Sequence, residues 1–446
     1  MIKLEEHPTV LHFRRQHLPA VTSEQPSLDA EWLRQICLDA GADDVGFVEI
    51  GRIELDDQRA EILSVFPGTK MLISYVCRMN KEPVRSPARS VANLEFHHVS
   101  DEVNEVGRRI VDVLQERGIR ALNPAMGFPM EMSRFPGKSW LVSHKPIAQA
   151  AGLGIMGIHR NVIHPKFGNF ILLGTILVAA DITTASHPLD YNPCLECKLC
   201  VAACPVGAIE PDGGFDFAAC TTHNYREFLG GFSDWVETVV KSKDARAYRA
   251  QVDDGETASW WQSLAWGPNY KAAYCMAVCP AGEDVIAPFL TDRKGFLQDV
   301  VKPLQMKEET VYVISNSDAE LHVQKRFPHK TPKRVGNGLR ANSIGAFLRN
   351  LHMVFQSNQA EGLDARYHFT FTGAAAIEAT VVIANQTLTV EYGHIGEADL
   401  HLTADSATWL QFLRKETGLI WPLLRRKIRI RGNPRLLLAF GRCFPS

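Results

Sequence analysis

The spacing of apolar residues predicts alternating helix and strand over the first 185 positions. Residues 31–40 carry Trp32, Ile36 and Leu38 at near-helical spacing and end at Gly41, a residue that tolerates the left-handed turn closing a helix. Residues 45–50 and 71–76 are short β-rich runs and predict strands. Val99, Val103, Val106, Ile110, Val113 and Leu114 share one helical face over residues 99–117, which closes at Gly118. Residues 171–180 predict a buried strand, with a break expected at Gly174. The pattern is α/β, a sheet covered by helices.

The last part of the chain has another texture. A helix is expected at 344–355, followed by strands at 367–371, 378–383, 387–391 and 399–403, then helices at 406–414 and 420–427. Helices around an antiparallel sheet predict a separate α+β domain. Residues 307–334 are polar, with one strand at 311–314 and a basic segment at 325–334; they are expected to connect domains, and a solvated linker accounts for their charge. The expected units are 1–185, 186–300, a connector 301–335 and 336–446.

With 446 residues the chain is too long for one ordinary core. Its 46% hydrophobic and 22% charged content is that of a globular protein. A formal net charge of −2 gives no overall basic signal for nucleic acid, so no nucleic-acid partner is expected. The first fifteen residues are charged and interrupted by Pro8, unlike a secretory leader. The longest apolar run, 170–182, is too short to span a bilayer and contains Gly174 and Asp181. The expectation is a cytoplasmic protein that is not integral to a membrane.

Seven of the ten cysteines fall between Cys194 and Cys279. In a large chain without an export signal, such clustering points to metal rather than disulfides. Cys194, Cys197, Cys200, Cys204 and Pro205 form C-x2-C-x2-C-x3-C-P, a loop that wraps three thiolates round one cubane cluster and sends the fourth to another. Zinc knots prefer paired C-x2-C elements instead. Cys220 stands alone, and Cys275 to Pro280 is a truncated copy with Ala272 where a further cysteine would fall. The crossed-ligand rule assigns Cys194, Cys197, Cys200 and Cys279 to one 4Fe-4S cluster, and Cys204, Cys220 and Cys275 to a second. With three thiolates the second is a 3Fe-4S cluster, or a 4Fe-4S cluster with another ligand. His223, Tyr270 and Tyr274 are candidates, and a structural or surface histidine is the alternative for His223.

At these residues the chain resembles the epoxyqueuosine reductase and reductive dehalogenase superfamily. The likeness runs over residues 28–289. It takes in AGADDVG at 40–46, AAGLGIMG at 150–157, LLGTIL at 172–177, the Cys194 motif, the separate Cys220 and the Cys279-Pro280 end. It implies an α/β domain that binds cobalamin, followed by a two-cluster ferredoxin-like domain passing electrons singly to cobalt. It therefore implies a reductase served by an electron donor such as a flavodoxin, ferredoxin or reductase. Where the epoxyqueuosine reductases carry a proton-donating aspartate, this chain has Ser143 and His144, which points away from epoxyqueuosine as substrate. A histidine with an ordinary pKa near 6.5 is a usable proton donor at neutral pH, and a packing role is its alternative. The glycines Gly152, Gly154 and Gly157 match G-x-G-x-x-G, but the preceding residues 146–151 read as a helix that Gly152 stops. A turn approaching a flat cofactor fits better than a dinucleotide fold. His97, beside His98, is a further cofactor-facing candidate. Trp260, Trp261 and Trp266 are candidates for shielding the clusters, or for ordinary packing.

Residues 336–446 resemble the sterol carrier protein type 2 domain, through LHLTAD at 400–405, WLQFL at 409–413 and KIRIRGNPRLLLAF at 427–440. The resemblance implies a concave sheet and an apolar tunnel for a lipid or other hydrophobic molecule. Three functions are open at this point: an iron–sulfur reductase, an electron carrier for a partner oxidoreductase, and a lipid-binding protein with a regulatory redox part.

Overall fold

The computed structural model describes residues 3–16, 27–127, 129–135 and 140–445, so Met1 and Ser446, the ends of the outer units, lie outside them. Three strands open the fold: β1 (Asp44–Glu49), β2 (Met71–Arg78) and β3 (Ala121–Leu122). A short hairpin, β4 (Ile155–Met156) and β5 (Val162–Ile163), precedes β6 (Ile171–Val178). The main sheet has the order β1-β2-β6-β3, with every neighbour antiparallel. Helix Ala30–Asp39 begins where Asp29 accepts a hydrogen bond from the Trp32 amide at 2.8 Å. Helix Arg89–Glu116 starts ten residues before the expected 99 and buries Phe96, Val103 and Ile110 on one face.

The expected break at Gly174 is absent. It is paired with Tyr75 in the middle of β6, and a Cβ there would lie 2.1 Å from the Tyr75 ring. This glycine makes room for a neighbouring ring rather than ending a strand.

Residues 310–334 also differ from the expected linker. Thr310–Val313 (β7) and Thr331–Arg334 (β8) pair in parallel across helix Asp318–Arg326. Val311, Val313 and Val323 are fully buried, in the same apolar core as Leu33, Phe47 and Tyr274. Lys330 is not solvated. Its Nζ donates to Glu309 Oε1 at 2.7 Å and to the Lys307 carbonyl at 2.8 Å. Lys330, Lys333 and Arg334 are paired with Glu309, Glu256 and Glu320, while Lys325 and Arg326 stay exposed.

That first core runs from Leu33 to Val323, so the sheet and the cysteine-bearing loops share it. A second core lies in the C-terminal unit. Its strands are β9 (Ala365–Thr372), β10 (Ile377–Ala384), β11 (Thr387–Tyr392), β12 (Leu400–Asp405) and β13 (Ile428–Gly432), in the order β11-β10-β9-β12-β13. Only the β9–β12 pair is parallel. Phe347, Phe369, Phe371, Trp409 and Phe440 fill the space under this sheet. The expected helix 420–427 is only Ile420–Leu424, because Arg426 turns left-handed (φ 54°) and the chain enters β13.

Gln356, 1% exposed, joins the two cores, donating to Asp216 Oδ2 at 2.8 Å and accepting from the Asp318 amide at 3.0 Å. Beside it lies a polar cleft of about 640 Å³, lined among others by Gly207, His322, Lys325 and His352.

Candidate iron–sulfur site and adjoining recess

The cysteines sort into two adjacent groups. Cys194, Cys197, Cys200 and Cys279 line one cavity with Ile158 and His159. Burial pushes the Cys279 thiol up, and the neighbouring Cys197, Cys200 and Cys194 sulfurs push the same way. The loop reaches this arrangement through left-handed Glu196 (φ 49°) and Lys198 (φ 62°), after which Leu199–Ala203 forms a single helical turn. Among the described residues no three His, Cys, Asp or Glu side chains converge on a single-ion site.

Cys204, Cys220 and Cys275 form the second group. Burial raises the Cys220 thiol, and Cys204 and Cys275 raise it further. Cys200, raised to about 12 by burial, also senses Cys275, so the groups are electrostatic neighbours. The truncated motif copies the backbone of the full one. Ala273 is left-handed (φ 55°), as Lys198 is, and each is followed by a helical turn. Ala272 therefore occupies the place that Cys197 holds in the first motif.

Of the three candidate replacements, His223 keeps one ring nitrogen buried without a partner, while the hydrogen bonds and packing of the two tyrosines lead elsewhere. His223 Nδ1 accepts from the Tyr312 amide at 3.3 Å, and its charged neighbours are Glu309, Lys271, Lys330 and Lys307. Tyr274 donates to Glu309 Oε2 at 2.6 Å. Tyr270 packs edge-on against Phe96 and Tyr225. Tyr274 is thus committed to the acid that precedes β7, while His223 Nε2, buried without a partner, stays a candidate for the open corner.

The surroundings suit anionic clusters. Arg85 and Arg89 are half-buried; Arg85 Nη1 lies 3.7 Å from Glu82 and Arg89 Nη1 donates to the Val84 and Ser86 carbonyls, but the buried Nε and Nη2 atoms of both lack a hydrogen-bond partner. Arg85 is electrostatically coupled to Cys279, and Arg89 to Cys275. A buried unpaired guanidinium is costly unless an anion faces it, and a thiolate-ligated cluster is such an anion. On this test the residues present fit two iron–sulfur groups.

The N-terminal candidates fare differently. His144 is buried. Its Nε2 meets the Ala125 carbonyl at 3.3 Å and its Nδ1 the Thr175 hydroxyl at 2.9 Å. A carbonyl only accepts, so Nε2 carries the proton and Nδ1 accepts from Thr175. Burial lowers its pKa to about 4. The ring is neutral at pH 7 with both nitrogens occupied, which corrects the expected proton donor. Ser143 exchanges backbone hydrogen bonds with the Gln58 amide, at 2.9 and 3.3 Å.

Gly152 stops helix His144–Ala150 as expected, at φ +74°, with Leu153 N–H bonded to the Ala148 carbonyl and Gly152 N–H to that of Gln149. The three glycines meet protein rather than an open cofactor face. A Cβ at Gly152 would lie 2.3 Å from the His187 carbonyl, one at Gly154 2.4 Å from that of Ile163, and one at Gly157 2.7 Å from Ile163 Cδ1 and 3.4 Å from Cys194 Sγ. His97 Nε2 donates to the Pro268 carbonyl at 3.0 Å and braces that loop. Trp260 is buried and stacks on Trp235 at 5.2 Å, while Trp261 and Trp266 are exposed.

Residues not singled out from the sequence surround the second group. Lys145 Nζ donates to the Arg160 carbonyl at 2.7 Å and Asn161 Oδ1 at 3.1 Å, and Asn161 Nδ2 reaches Cys275 Sγ at 3.8 Å. Burial lowers the Lys145 pKa, while Cys275 and Cys220 oppose the shift. Burial raises Tyr225, whose charged neighbours are Tyr270, Cys220 and Cys275. Yet Lys145 is exposed and Tyr225 is 37% exposed, with Tyr270, Cys220 and Cys275 half-buried. Lys145 and Tyr225 thus reach solvent beside the second group of cysteines. Only the adjacency of Lys145 to His144, and of Tyr225 to the Cys220 helix, hinted at them.

Residues 187–210 match the 4Fe-4S binding domain family, and residues 352–445 match the SCP-2 sterol transfer family. The epoxyqueuosine reductase of Vibrio cholerae is 33% identical over 186 residues, covering 39% of this chain and 46% of that protein. That of Gloeobacter violaceus is 27% identical over 171 residues, covering 38% and 50%. Among solved structures, a reductive dehalogenase linked to B12-dependent dehalogenation aligns at 15% identity and a TM-score of 0.37, over 71% of this chain and 42% of that one. The chain spans about half the length of the curated relatives it matches. A part similar to the epoxyqueuosine reductases, with a match to the 4Fe-4S binding domain, is thus followed by a segment that matches the SCP-2 sterol transfer family.

Proposed function

We infer that this protein is an iron–sulfur reductase whose electrons leave through a recess at Lys145, Tyr225 and Tyr270. The observation that carries the reading is the sorting of seven cysteines into two adjacent groups, each beside an arginine whose buried Nε and Nη2 lack a partner. Cys194, Cys197, Cys200 and Cys279 would hold a 4Fe-4S cluster. Cys204, Cys220 and Cys275 would hold a second with one corner free of cysteine. Bound there, the clusters would supply one-electron transfer, and a corrinoid held beside Lys145 and Tyr225 would supply a metal centre able to take those electrons. Arg85 and Arg89 offset the charge of the thiolates, and Asn161 donates to Cys275. Lys145 and Tyr225 present an ammonium and a phenol to whatever occupies the recess, a cation and a proton donor for a substrate gaining electrons. The half-exposed Cys194 and Cys197, with Glu196 and Lys198 outside them, mark the side where a flavodoxin- or ferredoxin-like donor would dock. Epoxyqueuosine is the substrate of the named relatives; the absence of an acid at 143–144 argues for another substrate here.

The test is anaerobic iron and sulfide analysis with equilibrium dialysis against cobalamin. About 7–8 irons per chain and saturable corrinoid binding are expected. Four irons or fewer, or zinc, would sink the two-cluster reading. Two clusters without corrinoid binding would leave an electron carrier.

The C-terminal unit is proposed to hold a hydrophobic molecule. Trp409 Nε1 is buried without a partner among Phe347, Phe369, Phe371 and Phe412, so a polar end of a bound molecule would satisfy it. Native mass spectrometry of the full chain should show a copurifying acyl or isoprenoid species. A chain that is empty and also fails to bind a fluorescent fatty acid would leave the unit structural.

A further inference from the structure

We propose that the C-terminal unit docks on an anionic lipid surface through helix Ile420–Leu424 and the edge strand β13. The inference goes beyond the reductase reading and does not depend on it. Residues 414–442 contain nine Lys or Arg and a single acid, Glu416, in a chain whose formal net charge is −2. The positive charge is therefore concentrated at one place. Arg425, Arg426, Lys427, Arg429 and Arg431 are all exposed. In this run the ion pair formed is Lys427 with Asp405, at 4.0 Å; among the described residues the four arginines have no carboxylate partner.

The same short segment exposes large apolar side chains. Ile420 is 73%, Trp421 65% and Leu424 70% exposed, while Pro422 turns inward. Arg425 lies over the Trp421 ring at 5.9 Å. Along β13, Ile428 and Ile430 pack on the core and Arg429 and Arg431 alternate outward, on a strand with no neighbour beyond it. Unpaired like charges repel one another, and exposed tryptophan and leucine stay poorly solvated. An anionic bilayer surface relieves both. Headgroups neutralise the guanidiniums, and the ring and aliphatic chains enter the headgroup–acyl boundary. A nucleic acid would neutralise the charges and leave Ile420, Trp421 and Leu424 in water. No helix among the described residues is long and apolar enough to cross a membrane, so the contact is peripheral.

The test uses the full-length, cluster-loaded chain sedimented with phosphatidylcholine vesicles, with and without about one third phosphatidylglycerol. Binding should require the anionic lipid and weaken at least tenfold between about 0.1 and 0.5 M salt. Reversing three charges (Arg425→Glu, Arg426→Glu and Arg429→Glu together) should cost about 100-fold or more, since each cation near such a surface contributes on the order of 1 kcal/mol. Trp421→Ser with Leu424→Ser should weaken the salt-resistant part of binding. Unchanged circular dichroism and cluster absorbance would show that the variants fold; should they not fold, lipid and salt dependence of the unaltered chain still decide. Equal binding to both vesicle types, or an unaffected charge-reversal variant, would overturn the proposal. So would RNA binding or a Trp421-dependent dimer without vesicle binding.

Discussion

Ala272 and His144 show how much depends on a single side chain. Ala272 is 4% exposed, its amide donates to Asn224 Oδ1 at 3.0 Å, and the left-handed residue after it repeats the first motif. The backbone of a ligating cysteine is present without its sulfur. Ala272→Cys should therefore complete the second site, converting its electron paramagnetic resonance signal to that of an ordinary four-thiolate cubane and slowing its loss in air. An unchanged spectrum would mean that another group already closes the corner. His144 makes a prediction about pH. Its folded pKa of about 4 lies below the ordinary 6.5. Between these values the unfolded chain takes up a proton that the folded chain refuses. Its contribution is full above pH 6.5 and is lost as pH falls toward 4, about 3 kcal/mol in all. In urea melts, His144→Gln should reduce proton uptake on unfolding by about one in that window; an unaltered slope would place the ring in water.

At the level of elements, the loop that delivers Ala272 and Cys275 is tied down by one buried acid. Glu227, 5% exposed, accepts from Ser259, Ser263 and Lys271, and from the Asn269 amide at 3.1 Å. Burial opposes its ionisation, but Lys271 and the two hydroxyls outweigh it and hold the carboxyl below its ordinary value. Lys271→Met would strand that charge and should cost about 3–5 kcal/mol by denaturant melts. Adding Glu227→Gln should recover most of the loss; a double variant as unstable as the single would mean that the lysine stem, not the charge, matters. The βαβ unit around Lys330 follows the same logic: a lysine that looks solvated along the sequence is paired once Glu309 folds beneath it.

At the scale of the whole molecule, the N-terminal helix Arg89–Glu116 brings its first residue to a cysteine 186 positions later, and the shared core makes that possible. Removing a unit charge about 8 Å away at an effective dielectric of about 20 changes an anion's energy by roughly 2 kcal/mol. Arg89→Leu should therefore lower the potential of the second cluster by ~50–100 mV in a redox titration, with a smaller change at the first. No shift at the second cluster would mean that the arginine serves packing alone.

The sequence by itself determined the local features. Hydrophobic period set most helices and strands, the spacing from Cys194 to Cys204 set the loop that presents those thiols, and Gly152 set the end of its helix, because each depends on neighbours a few residues away. Tertiary structure decided the rest. Gly174 stays in its strand because Tyr75, from another strand, fills the space of a side chain. His144 loses its proton to burial by residues distant in sequence, and Lys145 and Tyr225, far apart along the chain, both lie within electrostatic reach of Cys220 and Cys275. Desolvation and convergence are properties of the packed chain, and no short window of residues contains them.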